Sequence, residues 1–214
     1  MWACMSTSVT KVPVTGVFET NCYFHIDDMT SHGFLVDPGA EAGRLLSLIA
    51  EKSWHIEAIL LTHGHFDHTG AVKTISDELG IPYFIHASGD NLLKDAWLNL
   101  SAQCECPQTL DGARHLQDGD VLRLAASQDV SLRVLHVPGH TPDSIALHDQ
   151  ATGIAYVGDT IFRGSLGTDR YPTGNRRDLL QSARRILSLP ANTALLPGHG
   201  PNTRVVDERK RLGC

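Results

Sequence analysis

The chain has 214 residues, 42% hydrophobic and 20% charged, and 18 Lys and Arg against 24 Asp and Glu leave a formal charge of −6. This is enough apolar material for a sizeable core, and an acidic balance without a basic block argues against a dedicated nucleic-acid binder. The longest unbroken apolar run, residues 1–5, is too short to span a bilayer, and the N-terminus lacks the pattern of a secretory signal. Five cysteines, at positions 4, 22, 104, 106 and 214, are odd in number and not spaced as a disulfide framework. A soluble, cytoplasmic protein is expected.

Taken in chain order, residues 21–27 and 33–37 form short β-rich runs, the second closed by Asp37-Pro38-Gly39. Over residues 41–52, Ala42, Leu45, Leu48 and Ile49 share one helical face. Residues 56–61 are a buried strand running into Thr62-His63-Gly64-His65. Residues 69–79 place Val72, Ile75 and Leu79 at helical spacing, and Gly80 follows as a C-cap. Strands are expected at 81–86, 121–124, 131–137, 144–148 and 154–157. A helix is expected at 176–189, with Asn175 and Asp178 as its capping pair, and a last strand at 193–196. Strands and helices mix throughout, which supports an α/β or α+β class.

The segment Thr62-His63-Gly64-His65-Phe66-Asp67-His68-Thr69 carries the chemistry. Alternate residues of an extended loop point one way, so His63 and His65 can converge on one ion. Asp67 and His68 then turn towards a second position as a helix starts. Imidazoles and carboxylates without thiolates suit zinc, iron or manganese and argue against a closed structural zinc site. At this composition the H-x-H-x-D-H pattern arises by chance roughly three times in a thousand. Three more strands end abruptly in a ligand type beside glycine: Val137-Pro138-Gly139-His140, Val157-Gly158-Asp159 and Leu196-Pro197-Gly198-His199.

These four motifs in this order, with Asn21-Cys22-Tyr23 and Asp37-Pro38-Gly39 ahead of them, resemble the metallo-β-lactamase superfamily. Within it they are most similar to glyoxalase II-like hydrolases made of the catalytic domain alone. The resemblance implies an α/β fold, the αβ/βα sandwich of two packed mixed sheets flanked by helices, with one catalytic domain over residues 1–214. It implies that His63, His65 and His140 hold one metal, that Asp67, His68 and His199 hold another, and that Asp159 bridges them. Two divalent transition-metal ions are expected, zinc first, with iron or manganese as alternatives. Two such ions contribute +4, and Asp67, Asp159 and a bridging hydroxide −3. The site then keeps about +1 and lowers the pKa of water towards 7. That charge suits the cleavage of a carbonyl ester, amide or thioester with the hydroxide as nucleophile.

The zinc β-lactamases of the superfamily lack the bridging aspartate that Asp159 supplies, and its flavodiiron proteins carry a glutamate where His65 stands. Segment 158–167 looks most like the single-domain glyoxalase II-like branch. Relatives place an arginine directly after the glycine equivalent to Gly167, whereas Thr168 stands here, so Arg163 and Arg170 become the candidates for a substrate carboxylate. Only residues 201–214 follow the last ligand motif, which implies no C-terminal glutathione-binding helical domain. The expected partner is a small-molecule thioester, glutathione-derived or not, with no nucleic acid and no membrane, acting on a monomer or homodimer. The alternatives are a mononuclear Fe(II) persulfide dioxygenase using His63, His140 and Asp159, and a metal-binding protein without turnover. Asp37 suits either a turn or a carboxylate orienting a metal-bound histidine. Cys104-x-Cys106 is a weak metal motif, the remaining histidines are expected at the surface or packed, and the arginines of residues 176–185 and the charged run 208–211 are expected to be solvated.

Overall fold

A computed structural model describes residues 7–213; residues 1–6, with Cys4 and the whole apolar run 1–5, and Cys214 lie outside them. One six-stranded sheet runs in spatial order β1 (Thr7–Thr15), β2 (Glu19–Asp27), β3 (His32–Val36), β4 (His55–Leu60), β5 (Tyr83–His86) and β6 (Arg114–Leu116). β1, β2 and β3 pair antiparallel, and β3 to β6 pair parallel. Parallel neighbours need crossovers. Here they are α1 (Ala42–Lys52) between β3 and β4, and the short α2 (Phe66–Thr69) with α3 (Val72–Leu79) between β4 and β5; α4 (Asp90–Lys94) follows β5.

The second sheet begins with β7 (Val121–Arg123), β8 (Ser131–His136), β9 (Ile145–Asp149) and β10 (Ile154–Gly158), all antiparallel. A small hairpin, β11 (Ile161–Phe162) and β12 (Ser165–Leu166), and helix α5 (Arg176–Leu187) follow. Then β13 (Ala194–Pro197) adds parallel to β10, β14 (Thr203–Arg204) closes that edge, and α6 (Val205–Leu212) ends the described chain.

Strand periodicity builds the layers. Phe34, Val36, Ala58 and Leu60 point inward and meet Leu132, Val134, Ile145, Leu147 and Tyr156 of the other sheet. Their alternates Leu35, Ile59 and Leu61 point outward against Leu45 and Ile49 of α1 and Val72 and Ile75 of α3. On the far side Ala146, Ala155, Val157 and Leu195 meet Ala183, Ile186 and Leu187 of α5 and Val205 of α6. The result is helices, sheet, sheet, helices, the expected sandwich. Polar clamps tie the sheets at one edge: Tyr23 Oη donates to the Pro197 carbonyl at 2.7 Å and Asn21 Nδ2 to the same oxygen at 2.9 Å.

Most sequence-based elements recur within two residues. The helix expected at 69–79 is instead two, and between them Ala71 N donates to the Pro38 carbonyl of the loop after β3 at 2.9 Å, where Gly70 leaves room for the Gly39 carbonyl, 2.3 Å from where a Cβ would lie. The solvated end expected at 208–211 is corrected. It belongs to α6, and Glu208 is 0% exposed, accepting from Thr203 Oγ1, Arg211 Nη1 and, at 2.8 Å, Gly164 N. Burial opposes its ionisation, yet these donors hold its carboxyl below the usual range. Its contribution to stability is therefore full above the unfolded-state value near ~4.3 and fades as pH falls through the lower folded value. Glu208→Ala orphans these donors at about 1–3 kcal/mol for each one that stays buried. Urea unfolding at pH 7 is expected to show a loss of about 2–4 kcal/mol, and an unchanged midpoint would contradict it.

Candidate metal centre

All seven side chains singled out above converge at one edge of the sandwich. His63, His65, Asp67 and His68 follow β4, while His140, Asp159 and His199 follow β8, β10 and β13 of the other sheet. Three groups could each hold an ion: His63, His65 and His140; His63, His68 and Asp159; and Asp67, His68 and His199. His65 Nδ1 lies 3.1 Å from His63 Nε2 and 3.0 Å from His140 Nε2. Asp67 Oδ2 lies 3.7 Å from His68 Nε2 and 3.3 Å from His199 Nε2. Asp159 joins the groups, with Oδ1 3.5 Å from His68 Nε2 and Oδ2 3.6 Å from His140 Nε2 and 3.4 Å from His199 Nε2. Two ligands about 2.0–2.1 Å from a tetrahedral ion sit roughly 3.3 Å apart, so these spacings suit metal coordination.

The outer nitrogens set the tautomers. His68 Nδ1 meets Asp37 Oδ2 at 2.9 Å, His140 Nδ1 the Thr168 carbonyl at 2.8 Å, and His199 Nδ1 the Glu19 carbonyl at 2.6 Å. Thr62 Oγ1 donates to Asp37 Oδ2 at 2.6 Å and can only accept from His63 Nδ1, at 3.1 Å. The bare Nε2 lone pairs of His63, His68, His140 and His199 are thus turned into the cluster. Lone pairs brought this close repel unless a cation or a proton lies between them. His68 Nε2 and Asp159 Oδ1 are buried without a hydrogen-bond partner among the described residues. The donor set fits divalent transition metals.

Charge follows the same division. Burial and the histidines around it, His68 foremost, push His63 well below its ordinary value, and burial with His140 takes His65 down to about 3. Burial opposes charge on His68 and His199 too, but Asp67, Asp37 and Asp159 push His68 up to about 9, and Asp159 and Asp67 push His199 up to about 11. Burial notwithstanding, His68 and His199 hold the Asp159 carboxyl far below its usual range. A ligating imidazole must give up its inner proton. Loading the metal-free protein at pH 7.5 is therefore expected to release about two protons from His68 and His199, and up to a third from the metal-bound water that becomes hydroxide. Titration calorimetry in two buffers of different ionisation enthalpy measures this, and a release near zero would contradict it.

Asp37 serves both expected roles: it turns the chain at φ 49° and accepts from Thr62 N, Thr62 Oγ1 and His68 Nδ1. Glycine is needed where the backbone meets the ligands, since a Cβ at Gly198 would lie 2.3 Å from Asp159 Oδ1 and 2.5 Å from His68 Cε1. Cys104 and Cys106 are free thiols outside the ligand clusters found among the described residues.

Above the centre opens a cavity of about 470 Å³, lined by His65, Asp67, His140, Asp159 and His199 and by Phe18, Glu19, Leu100, Phe162, Leu166, Thr168 and Tyr171. Neither Arg163 nor Arg170, the expected substrate contacts, is among the residues that line it. Arg163 sits at the tip of the β11–β12 hairpin, where Gly164 N is tied to Glu208, and borders a separate hollow with Arg204 and Arg211. Arg170 is exposed. Sequence reasoning missed the apolar lining because its residues sit on turns and short hairpins without periodicity.

Comparison with known proteins agrees with this geometry. The chain is 30% identical to "Hydroxyacylglutathione hydrolase GloC" of Haemophilus influenzae over 203 residues, covering 93% of each. It superposes on the crystal structure of BLEG-1 B3 metallo-β-lactamase with a TM-score of 0.88 at 32% identity, covering 95% of this chain and 97% of that one. On TTHA1623 in a di-iron-bound form the TM-score is 0.81 at 35% identity, covering 94% and 98%. The family model described as the metallo-beta-lactamase superfamily matches residues 15–199, a span that begins at the end of β1 and closes on the last histidine of the cluster. By sandwich, ligand order and family match alike, the chain belongs to the metallo-β-lactamase superfamily and is one of its metallohydrolases.

Proposed function

We propose that this protein is a dinuclear metal-dependent hydrolase of a small thioester, similar to hydroxyacylglutathione hydrolase. The observation that carries the reading is the pair of ligand groups with the Asp159 carboxylate between them. His63, His65 and His140 would hold one divalent ion and Asp67, His68 and His199 the other. When bound, such ions supply a nucleophilic hydroxide near neutral pH and Lewis-acid stabilisation of an oxyanion.

The chain's own residues do the positioning. Asp37, Thr62, Glu19 and Thr168 fix four imidazole rings through their outer nitrogens, and Thr20 Oγ1 holds Asp67 Oδ2 at 3.2 Å. Such partners orient ligands and raise their basicity. A thiolate leaves without protonation near neutral pH, since a thiol pKa is about 8.5. Thioester cleavage therefore asks for no acid beyond the centre, and the similarity to GloC supports the same choice.

Elemental analysis with a thioester panel tests the reading. Close to two transition-metal ions per chain are expected, falling to about one in His199→Ala, together with hydrolysis of activated thioesters. One iron unaffected by His199→Ala, with oxygen uptake on a persulfide, would replace this reading with the dioxygenase. Full metal without any hydrolysis would leave a metal-binding protein.

A further inference from the structure

The wall of the cavity above the ligands has a chemistry that the metal centre does not explain. Five apolar side chains form it: Phe18 from the β1–β2 turn, Leu100 from the segment after α4, Phe162 and Leu166 from the β11–β12 hairpin, and Tyr171. Phe18 and Tyr171 stay 45% and 41% exposed, and large apolar groups left in water around a concave site mark a binding surface. Tyr171 also stands edge-on to the rings of His65 and His140, at 5.7 and 6.1 Å between centroids. Among the described lining residues no Lys or Arg occurs, and the charged side chain outside the ligand set is the carboxylate of Glu19. Lys11 donates to the Gly200 carbonyl at 2.6 Å and does not line the cavity.

Leu100 is held there against its own backbone preference. It has φ 73°, a left-handed conformation that costs a non-glycine residue free energy and persists when its surroundings over-determine it. Those surroundings are buried polar groups tied to the helix bearing Asp67 and His68. The Asn99 carbonyl accepts from Phe66 N at 3.0 Å, Asn99 Nδ2 donates to Gln108 O at 2.9 Å, and Gln108 Nε2 donates to Phe66 O at 3.3 Å. Ser101 N closes the network on Asn99 Oδ1 at 3.0 Å. Leu100 is thus tied, through its neighbours Asn99 and Ser101, to the segment that carries Asp67 and His68.

We propose that the substrate group seated against the centre is an uncharged, apolar acyl chain, aromatic or medium-length aliphatic, and that Leu100, Phe18 and Tyr171 select it over groups bearing carboxylates. The proposal rests on the thioesterase reading for the reaction but not for the binding preference. Away from the metal ligands an anionic tail would meet the Glu19 carboxylate and no Lys or Arg of the wall, whereas each methylene taken from water into the cavity is worth about a fourfold factor in affinity. A glutathione tripeptide, with its two carboxylates, is then not the recognised element.

The metal-reconstituted full chain should be assayed on acetyl, hexanoyl, benzoyl and succinyl thioesters of N-acetylcysteamine and on S-lactoylglutathione. The expected result is a kcat/KM for the hexanoyl or benzoyl thioester at least tenfold above the acetyl, succinyl and glutathione compounds. Leu100→Ser should reduce the hexanoyl-to-acetyl ratio about tenfold. Phe18→Ser, at an exposed position, should reduce it severalfold and guards against a Leu100 variant that fails to fold. A flat ratio, or a preference for the succinyl or glutathione thioester, overturns the proposal while leaving the thioesterase reading intact. Binding of benzohydroxamate against acetohydroxamate decides it without turnover. At least tenfold tighter binding of the aromatic probe, lost in Phe18→Ser, supports the apolar clamp even if no thioester is cleaved, and equal affinities overturn it.

Discussion

Asp159→Ala is expected to lose metal and hydrolysis together, with kcat/KM on an activated thioester down by at least about a thousandfold. The side chain reaches His68 through Oδ1 and His140 and His199 through Oδ2, so one truncation removes the link between both ligand groups. It also removes one of two carboxylates that offset the charge of two divalent ions, Asp67 being the other. Asp159→Asn keeps the shape and discards the charge, so it separates the two contributions. Metal content by mass spectrometry and circular dichroism on the same samples check the result, and an Asp159→Ala protein with two ions and normal turnover would remove Asp159 from this role.

The second large effect is expected at a residue that ligates nothing. Asp37 is buried, and it ties the backbone and hydroxyl of Thr62, and through that hydroxyl His63, to the outer nitrogen of His68. Asp37→Ala leaves the His68 ring without its orienting acceptor and strands a buried N–H. Outer partners of metal-bound histidines are worth about 10- to 100-fold in affinity. In a stepwise metal titration the step at Asp67, His68 and His199 should therefore weaken by that factor, and the step at His63, His65 and His140 by less. Equal weakening of both steps, or of neither, would contradict the assignment.

The ligand motifs were legible because each is a strand that ends on a turn residue with a coordinating side chain beside it, and the resemblance of their order to a known family joined the seven positions into one site. Asp37 was legible only in part, since a turn residue and a second carboxylate look alike in one dimension. Edge strand β1 escaped notice because Pro13 interrupts its alternation. Pro13 is tolerated there because β1 pairs on one side only. β6 is three residues long and mostly exposed, and so carries no hydrophobic signal. The buried carboxylate of Glu208 sits in a run of charges that looks solvated until α6 folds back on the hairpin. The cavity wall depends on where turns land in space, and no local pattern encodes that.

The ligands arrive from both halves of the molecule: four follow β4 of the first sheet and three follow strands of the second. An ion shared by His63, His65 and His140, or a carboxylate shared as Asp159 is, acts as a rivet through the open edge of the sandwich. Anything that binds only the folded form stabilises it by mass action, about 2.7 kcal/mol at a hundredfold excess over its dissociation constant. The protein's lifetime against proteolysis is then expected to lengthen with the metal supply, because bound ions would add to the Tyr23 and Asn21 clamps that already tie the two sheets at this rim.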